Sequence, residues 1–287
     1  MSKNGIDELI SWFKDKHRVL VALSGGVDSA LVAYAAYKAL GDNALAVTAD
    51  YKTLARDELD YAKMVAREIG IRHIIIEYNE LEDKNFVNND SMRCFYCRSR
   101  LVMHLKAVAD KEKVDVIVDG TNADDILEYR PGLKALRDNG VRSPLLELRI
   151  GKKEVRSIAR ELGLSIYDKP SNACLASRLA YGVMITKERL EMVEKSESIV
   201  KSIFNVRQVR VRIHEHNGYI LARVEVGRDE RSKLFDEDKL DTLYSMLRSL
   251  GFTHVSIDAW GYKSGSLNII NNLNIINNQC FGDTMVW

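Results

Sequence analysis

Short apolar runs alternating with helical periods predict an α/β fold for this chain of 287 residues: a parallel sheet covered by helices, with a smaller C-terminal α+β domain. Three observations carry that expectation. The apolar run VLVAL at residues 19–23 passes through SGGVDS straight into a helical pattern at 30–40. The same strand-and-helix unit then recurs, with strands at 44–48 and 72–77 around a helix at 54–69. Beyond about Thr186 the pattern changes to alternating strands, VRVRIH and YILARVEV, set between helices. The expected boundaries are 1–185 for the first domain, 186–268 for the second and 269–287 for a tail.

Taken in order, MSKNGIDELISWFKDK alternates apolar and charged residues as a short amphipathic helix does. The βαβαβ series follows. Residues 99–112 read as a helix and 114–118 as a strand that ends in DGTNADD. A further helix at 152–162 is closed by Gly163. Parallel sheets place ligands at the carboxyl ends of their strands, where SGGVDS and DGTNADD both fall, so the two segments should line one crevice. In the second domain helices are expected at 187–204 and 240–250, and strands at 209–213, 219–226 and 255–257. Alternation sends Val209, Val211 and Ile213 to one face and Arg210, Arg212 and His214 to the other. Those arginines fit either a solvated outer face or a clamp on a phosphate. The tail NIINNLNIINNQCFGDTMVW is rich in Asn and expected to be weakly structured, and Cys280 within it has no evident partner.

Composition excludes little. A net charge of +1 offers no general field for nucleic acid, and no apolar run approaches the length needed to span a bilayer. A cytoplasmic protein without a membrane or nucleic-acid partner is expected. Four cysteines, two of them in a CxxC, suit metal or redox chemistry better than a disulfide framework.

The segment Ser24, Gly25, Gly26, Val27, Asp28, Ser29 is the strongest chemical signal. Two glycines let the backbone approach a ligand, the following helix turns its free N–H groups toward the turn, and two serines add donors, all of which suits a pyrophosphate. Asp28 beside an anion is explained by a backbone turn or, preferably, by a divalent cation shared with the phosphates. The GxxxxGK[ST] pattern is absent. The hexapeptide resembles the SGGxDS loop of the PP-loop ATP pyrophosphatases (adenine nucleotide alpha hydrolase-like fold). This implies ATP and Mg2+ as cofactors and cleavage between the α and β phosphates.

Cys94 and Cys97 in CFYC are expected just before a helix, and Cys174 in KPSNACLASR is expected in a loop. CxxC alone is compatible with a redox pair, half a zinc site or an inert reduced pair. Zinc would need a fourth ligand; His73 and His104 are available, but neither has a supporting spacing. Three thiolates without a fourth suit a [4Fe-4S] cluster with one open iron.

With Asp119 and Gly120, EYRPGLKA at 128–135, SNACLASR at 171–178, VRVRIH and GYKSGSLN at 261–268, the chain resembles the LarE family over nearly its whole length. LarE proteins are sulfur transferases that make the nickel-pincer nucleotide cofactor of lactate racemase from pyridinium-3,5-biscarboxylic acid mononucleotide. The resemblance implies that Cys174 carries sulfur: some members have this cysteine alone and surrender its sulfur, but this chain resembles those with three, which implies a [4Fe-4S] cluster on Cys94, Cys97 and Cys174 whose fourth iron binds hydrosulfide. It also implies nucleotide binding by Ser24 to Ser29 and Gly120, phosphate binding by Arg210 and Arg212, a sulfide donor as partner, and a homo-hexamer.

Arg178, four residues after Cys174, is expected either to support the activated carboxylate or to pair with an acidic neighbour. Asp124 and Asp125 fit ordinary helix-start residues better than magnesium ligands. Arg130 and Lys134 flank Pro131 and Gly132, which favour a loop. Rival readings are a tRNA thiolase with a similar cluster, a synthetase of the NAD or GMP type with structural cysteines, and a non-catalytic regulatory module. The first lacks a basic tract with interleaved aromatics, and the intact SGGVDS opposes the last.

Overall fold

The computed structural model describes residues 3–127, 131–170, 172–263 and 265–267. The Asn-rich tail, Cys280 and Arg130 lie outside the described residues. The chain forms two compact units: residues 1–86 with 92–174, and residues 87–91 with 175–287.

The first unit begins with α1 (Lys3–Phe13), β1 (Val19–Ala22) and α2 (Val27–Leu40), then β2 (Ala44–Asp50), α3 (Arg56–Ile69) and β3 (Arg72–Glu77). After the short α4 (Lys84–Val87) come α5 (Arg93–Glu112), β4 (Val116–Val118), α6 (Pro131–Asp138), α7 (Pro144–Glu147) and α8 (Lys152–Glu161). The strands form one parallel sheet in the order β3-β2-β1-β4. The central strands β1 and β2 are buried on both faces, which is why β1 reads as an unbroken apolar run, whereas the edge strand β3 is partly exposed. Val19 and Val21 enter the core that holds Phe13, Leu31 and Val65, while Leu20 enters the opposite one with Leu45, Leu101 and Leu105. Helix α2 is buried nearly all round; its alanines at 30, 33, 35 and 36 carry no bulk, so neighbouring helices pack closely on it. The sheet grows outward from β1 through β2 to β3, then returns to place β4 on the other side of β1. The carboxyl ends of β1 and β4 therefore flank a topological switch point, the place where open α/β sheets bind ligands.

Two local expectations change. Helix α5 starts at Arg93, so CFYC occupies its first turns instead of preceding it; Met92, the residue before the helix, supplies no side-chain cap that a reader of sequence could recognise. Pro131 opens α6 instead of a loop, because proline is well suited to the first helical position, where its missing N–H costs nothing.

The second unit contains α9 (Lys187–Phe204), β5 (Val209–His216), β6 (Tyr219–Val226), α10 (Glu237–Ser249) and β7 (His254–Ile257). Strand β6 is central, antiparallel to β5 and parallel to β7. The Thr186 side chain caps α9 by accepting from the Arg189 N–H at 3.3 Å. The units divide between Cys174 and Leu175, upstream of the expected change at Thr186. The reason is packing: Leu175, Ala176 and Leu179 are buried, and Leu179 bridges to Ile213 of β5. The 87–91 segment joins this unit through the Asn89 amide, which donates to the carbonyls of Ala180 and Val183 at 2.8 and 2.7 Å. No helix among the described residues is long and apolar enough to cross a membrane.

Candidate active site

The phosphate loop lies between β1 and α2. Gly25 has φ +77, a backbone state that glycine adopts without strain. The Ser24 N–H donates to Ser29 Oγ at 3.1 Å, the Ser29 hydroxyl donates to the Gly26 carbonyl at 3.0 Å, and the two serine oxygens lie 3.1 Å apart. No side chain caps α2 at Gly26, so the start of this buried helix is left to an external acceptor. A Cβ at Gly120 would stand 2.6 Å from the Ser29 nitrogen and 2.8 Å from its Cα, so only glycine lets the end of β4 lie against the first turn of α2. SGGVDS and DGTNADD thus meet, as the switch point requires. Asn122 strengthens the junction by donating to Asp28 Oδ1 at 3.2 Å.

Asp28 is also ion-paired to Lys152, the first residue of α8. The sequence did not single out this lysine, although its position at the start of a helix following the last crossover placed it at the same end of the unit. Asp124 accepts from the Lys152 N–H at 2.7 Å, and Asp125 accepts from the Asn122 N–H at 3.0 Å. Both carboxylates hold backbone turns, in keeping with their reading as helix-start residues. Asp119 accepts from Thr121 Oγ1 and from Ser143 Oγ, both at 2.6 Å, which fixes the turn carrying Gly120.

A second set of contacts reaches the loop from α3. Lys169 Nζ donates to the Gly25 carbonyl at 2.9 Å and to Glu58 at 2.6 Å, and lies 4.2 Å from the centre of the Tyr61 ring. Asn172 Nδ2 donates to the other Glu58 oxygen at 2.9 Å. Glu58 escaped the sequence reading because a glutamate in the first turn of a helix is ordinary; Lys169 shares a ten-residue run with Cys174, which was the available signal.

All three candidate thiols belong to the first unit. Cys94 is exposed, whereas Cys97 and Cys174 are half-buried. Burial pushes the Cys97 thiol up to about 12, the charge of Cys174 and more weakly that of Cys94 push the same way, and Arg98 opposes them. Tyr51 is likewise raised well above the usual phenol range, first by burial and then by Cys97, with Cys174 adding to it. Cys94, Cys97 and Cys174 therefore share one electrostatic neighbourhood. Among the described residues, however, no group of three or more His, Cys, Asp or Glu side chains stands arranged to hold a metal ion. The histidines do other work: His73 hydrogen-bonds Thr48 at 2.7 Å, and His104 stacks on Tyr78 at 4.4 Å. The donor chemistry, three thiols in one unit, fits a thiolate-held cationic group; the side chains as placed do not form its polyhedron.

In the second unit the arginines are not on a solvated face. Arg210 and Arg212 are each 5% exposed and Arg178 is 0% exposed. The outer-face expectation fails because both sides of β5 are covered and acids lie opposite its charged side. Arg212 donates through Nε and Nη2 to Glu225 Oε2 at 3.1 and 2.9 Å, and Glu225 also accepts from Arg223 at 2.9 Å. Arg178 takes the pairing that its sequence left open, with Nε 2.8 Å from Glu197 Oε1 and Nη2 3.2 Å from Oε2. Burial first, and then the neighbouring Arg178, push Arg210 down to about 10. Arg223 also pairs with Asp258 at 3.6 Å, so Arg178, Arg210, Arg212 and Arg223 lie among the acids Glu197, Glu225 and Asp258.

The SGGVDS loop at the switch point of a parallel sheet, in a chain whose residues 13–166 match the family model described as asparagine synthase, marks an ATP-using enzyme of the PP-loop class. The chain is 34% identical over 91% of its length to the pyridinium-3,5-bisthiocarboxylic acid mononucleotide synthase of Lactiplantibacillus plantarum, spanning 92% of that protein. It is 40% identical over 93% of its length to an uncharacterised Synechocystis protein, 98% of which is covered. A component chain of the glutamine-hydrolysing GMP synthase of Archaeoglobus fulgidus is 28% identical to it over 69% of each sequence. On these matches the chain belongs to the LarE family.

Proposed function

We propose that this chain is an ATP-dependent sulfur transferase that adenylates a substrate carboxylate and converts it to a thiocarboxylate. The observation that carries the reading is one compact unit holding both the phosphate loop and Cys94, Cys97 and Cys174, in a chain 34% identical over 91% of its length to a pyridinium-3,5-bisthiocarboxylic acid mononucleotide synthase. By the family relationship, the substrate is pyridinium-3,5-biscarboxylic acid mononucleotide.

A carboxylate is a poor electrophile, so exchange of its oxygen first needs a leaving group. The substrate oxygen attacks the α-phosphorus of ATP, the bond to the bridging oxygen breaks, and pyrophosphate departs. The α2 N-terminus, Ser24 and Ser29 bind that departing anion, and Lys152 adds a positive charge beside it. Asp28, released from Lys152, is the carboxylate available to Mg2+. A sulfur nucleophile at Cys174 then attacks the acyl carbon and expels AMP. If the sulfur is that of Cys174 itself, loss of its Cα proton and cleavage of Cβ–S release the thiocarboxylate and leave dehydroalanine. Cys94, Cys97 and Cys174 would hold a [4Fe-4S] cluster, which when bound supplies a replaceable hydrosulfide on its open iron. In the second unit the guanidinium groups of Arg210 and Arg212 suit the phosphate of a nucleotide substrate.

The test is Cys174→Ala assayed with substrate and ATP. Sulfur transfer predicts that pyrophosphate release persists while thiolated product disappears. Full product from the variant would return the chain to the synthetase reading, with structural cysteines.

A further inference from the structure

Glu58 spends its two carboxylate oxygens on different parts of the first unit. Oε2 pairs with Lys169, whose Nζ also holds the Gly25 carbonyl of the phosphate loop, and Oε1 accepts from Asn172, two residues before Cys174. The pair is enclosed, with side chains 10% and 9% exposed for Lys169 and Glu58, so it is little weakened by solvent. The backbone is equally close: a Cβ at Gly25 would lie 2.4 Å from the Glu58 carbonyl oxygen and 3.2 Å from the Ala62 nitrogen. The first turns of α3 are therefore the surface on which the loop is laid.

We infer that Glu58 is a positioning residue that sets the Cys174 segment in register with the phosphate loop, so that nucleotide in the loop is felt at Cys174. The inference rests on the functional reading above. Because the Gly25–Gly26 peptide is planar, a carbonyl held toward Lys169 turns the Gly26 N–H the opposite way, presenting it as an anion donor. An anion that pulls on this N–H strains the same peptide and hence the Lys169 bond. Glu58 is the group that passes the strain on, since it touches both Lys169 and Asn172. Adenylation and sulfur attack occur in sequence on one carboxylate, and a nucleophile displaced by about 1 Å can cost about a hundredfold in rate.

The experiment measures Cys174 alkylation by N-ethylmaleimide, resolved by peptide mass, with and without ATP and Mg2+. It is paired with pyrophosphate release and product formation in wild type, Glu58→Gln and Asn172→Ala. Asn172→Ala removes the limb toward Cys174 from a partly exposed residue, so it keeps the test open if Glu58→Gln fails to fold. In wild type, ATP should change the alkylation rate several-fold. In either variant that change should vanish and product formed per pyrophosphate should fall about tenfold, with the KM for ATP held within about twofold in Asn172→Ala. A merely structural role would lower product and pyrophosphate together. An ATP effect on Cys174 that is absent in wild type, or the same in the variants, would overturn the inference while leaving sulfur transfer standing. A wild type that binds no ATP would instead sink the functional reading, and this one with it.

Discussion

Gly120→Ala is the most exacting substitution the structure offers, because it adds one methyl where only backbone stands. The new Cβ would lie 2.6 Å from Ser29 N, 2.8 Å from Ser29 Cα and 3.0 Å from the Asp28 carbonyl carbon. Opening the shortest contact to an ordinary 3.4 Å requires 3.4 − 2.6, or about 0.8 Å, of movement. Neither side yields easily: Asp119 fixes the Gly120 turn through Thr121 and Ser143, and α2 is packed all round. Overpacking of this kind costs about 1–3 kcal/mol. The functional loss should be larger, since the displaced element is the helix end proposed to receive the pyrophosphate, and a shift near 1 Å is worth about a hundredfold in kcat/KM. Pyrophosphate release measures the rate, and thermal unfolding checks the fold. Gly26→Ala is the internal control. Its Cβ would meet nothing nearer than Ser24 Oγ at 3.5 Å, and its φ of −93 suits any residue. It should keep wild-type stability and lose activity only if ligand, not protein, fills the space at Gly26. Wild-type activity and stability in Gly120→Ala would refute the claim that the two turns are in obligatory contact.

Lys152→Met removes the partner of Asp28 and the charge proposed to face the departing anion; kcat/KM for ATP should fall about tenfold or more, with a smaller loss of stability. Unchanged kinetics in that variant would assign Lys152 to structure alone. The raised Cys97 thiol holds its proton through neutral and mildly alkaline pH, so its thiolate at pH 8 is about a thousandfold scarcer than for a thiol at the ordinary 9.0. In metal-free protein, maleimide should therefore label exposed Cys94 well before Cys97, with the Cys97 rate still climbing as pH passes 11; equal labelling at pH 8 would contradict this. The same raised value favours folding less as pH rises from the unfolded thiol value toward about 12, because the folded state then holds a proton that the unfolded chain has released.

The phosphate loop was legible because its chemistry is contiguous: SGGVDS, its preceding strand and its following helix occupy adjacent positions, and β3 at Arg72–Glu77 follows from RHIIIE alone. Contacts closed by the fold were not legible. Lys152 and Asp28 are 124 residues apart, and Lys169 and Glu58 are 111 apart, so no local pattern links them. Alternation correctly placed Arg210 and Arg212 on one side of β5, but period two gives a face and not its depth; the acids that make burial tolerable, Glu197 and Glu225, come from α9 and β6. CFYC gives no helical signal, because cysteine and aromatic residues are weak helix formers and no side-chain cap marks the start of α5. For the thiols, sequence supplied the inventory, while the burial of Cys97 and the charges around it emerged only from folding.

The central claim is that ATP is spent to replace a carboxylate oxygen by sulfur. Its most direct measurement is anaerobic incubation of wild type with Mg2+, ATP and pyridinium-3,5-biscarboxylic acid mononucleotide, followed by quantification of nucleotides, pyrophosphate and the substrate's mass. The account predicts AMP and pyrophosphate in equal amounts, matched by a product heavier by one oxygen-to-sulfur exchange. ADP with orthophosphate, or AMP accompanied by an amide and no sulfur in the product, would contradict it.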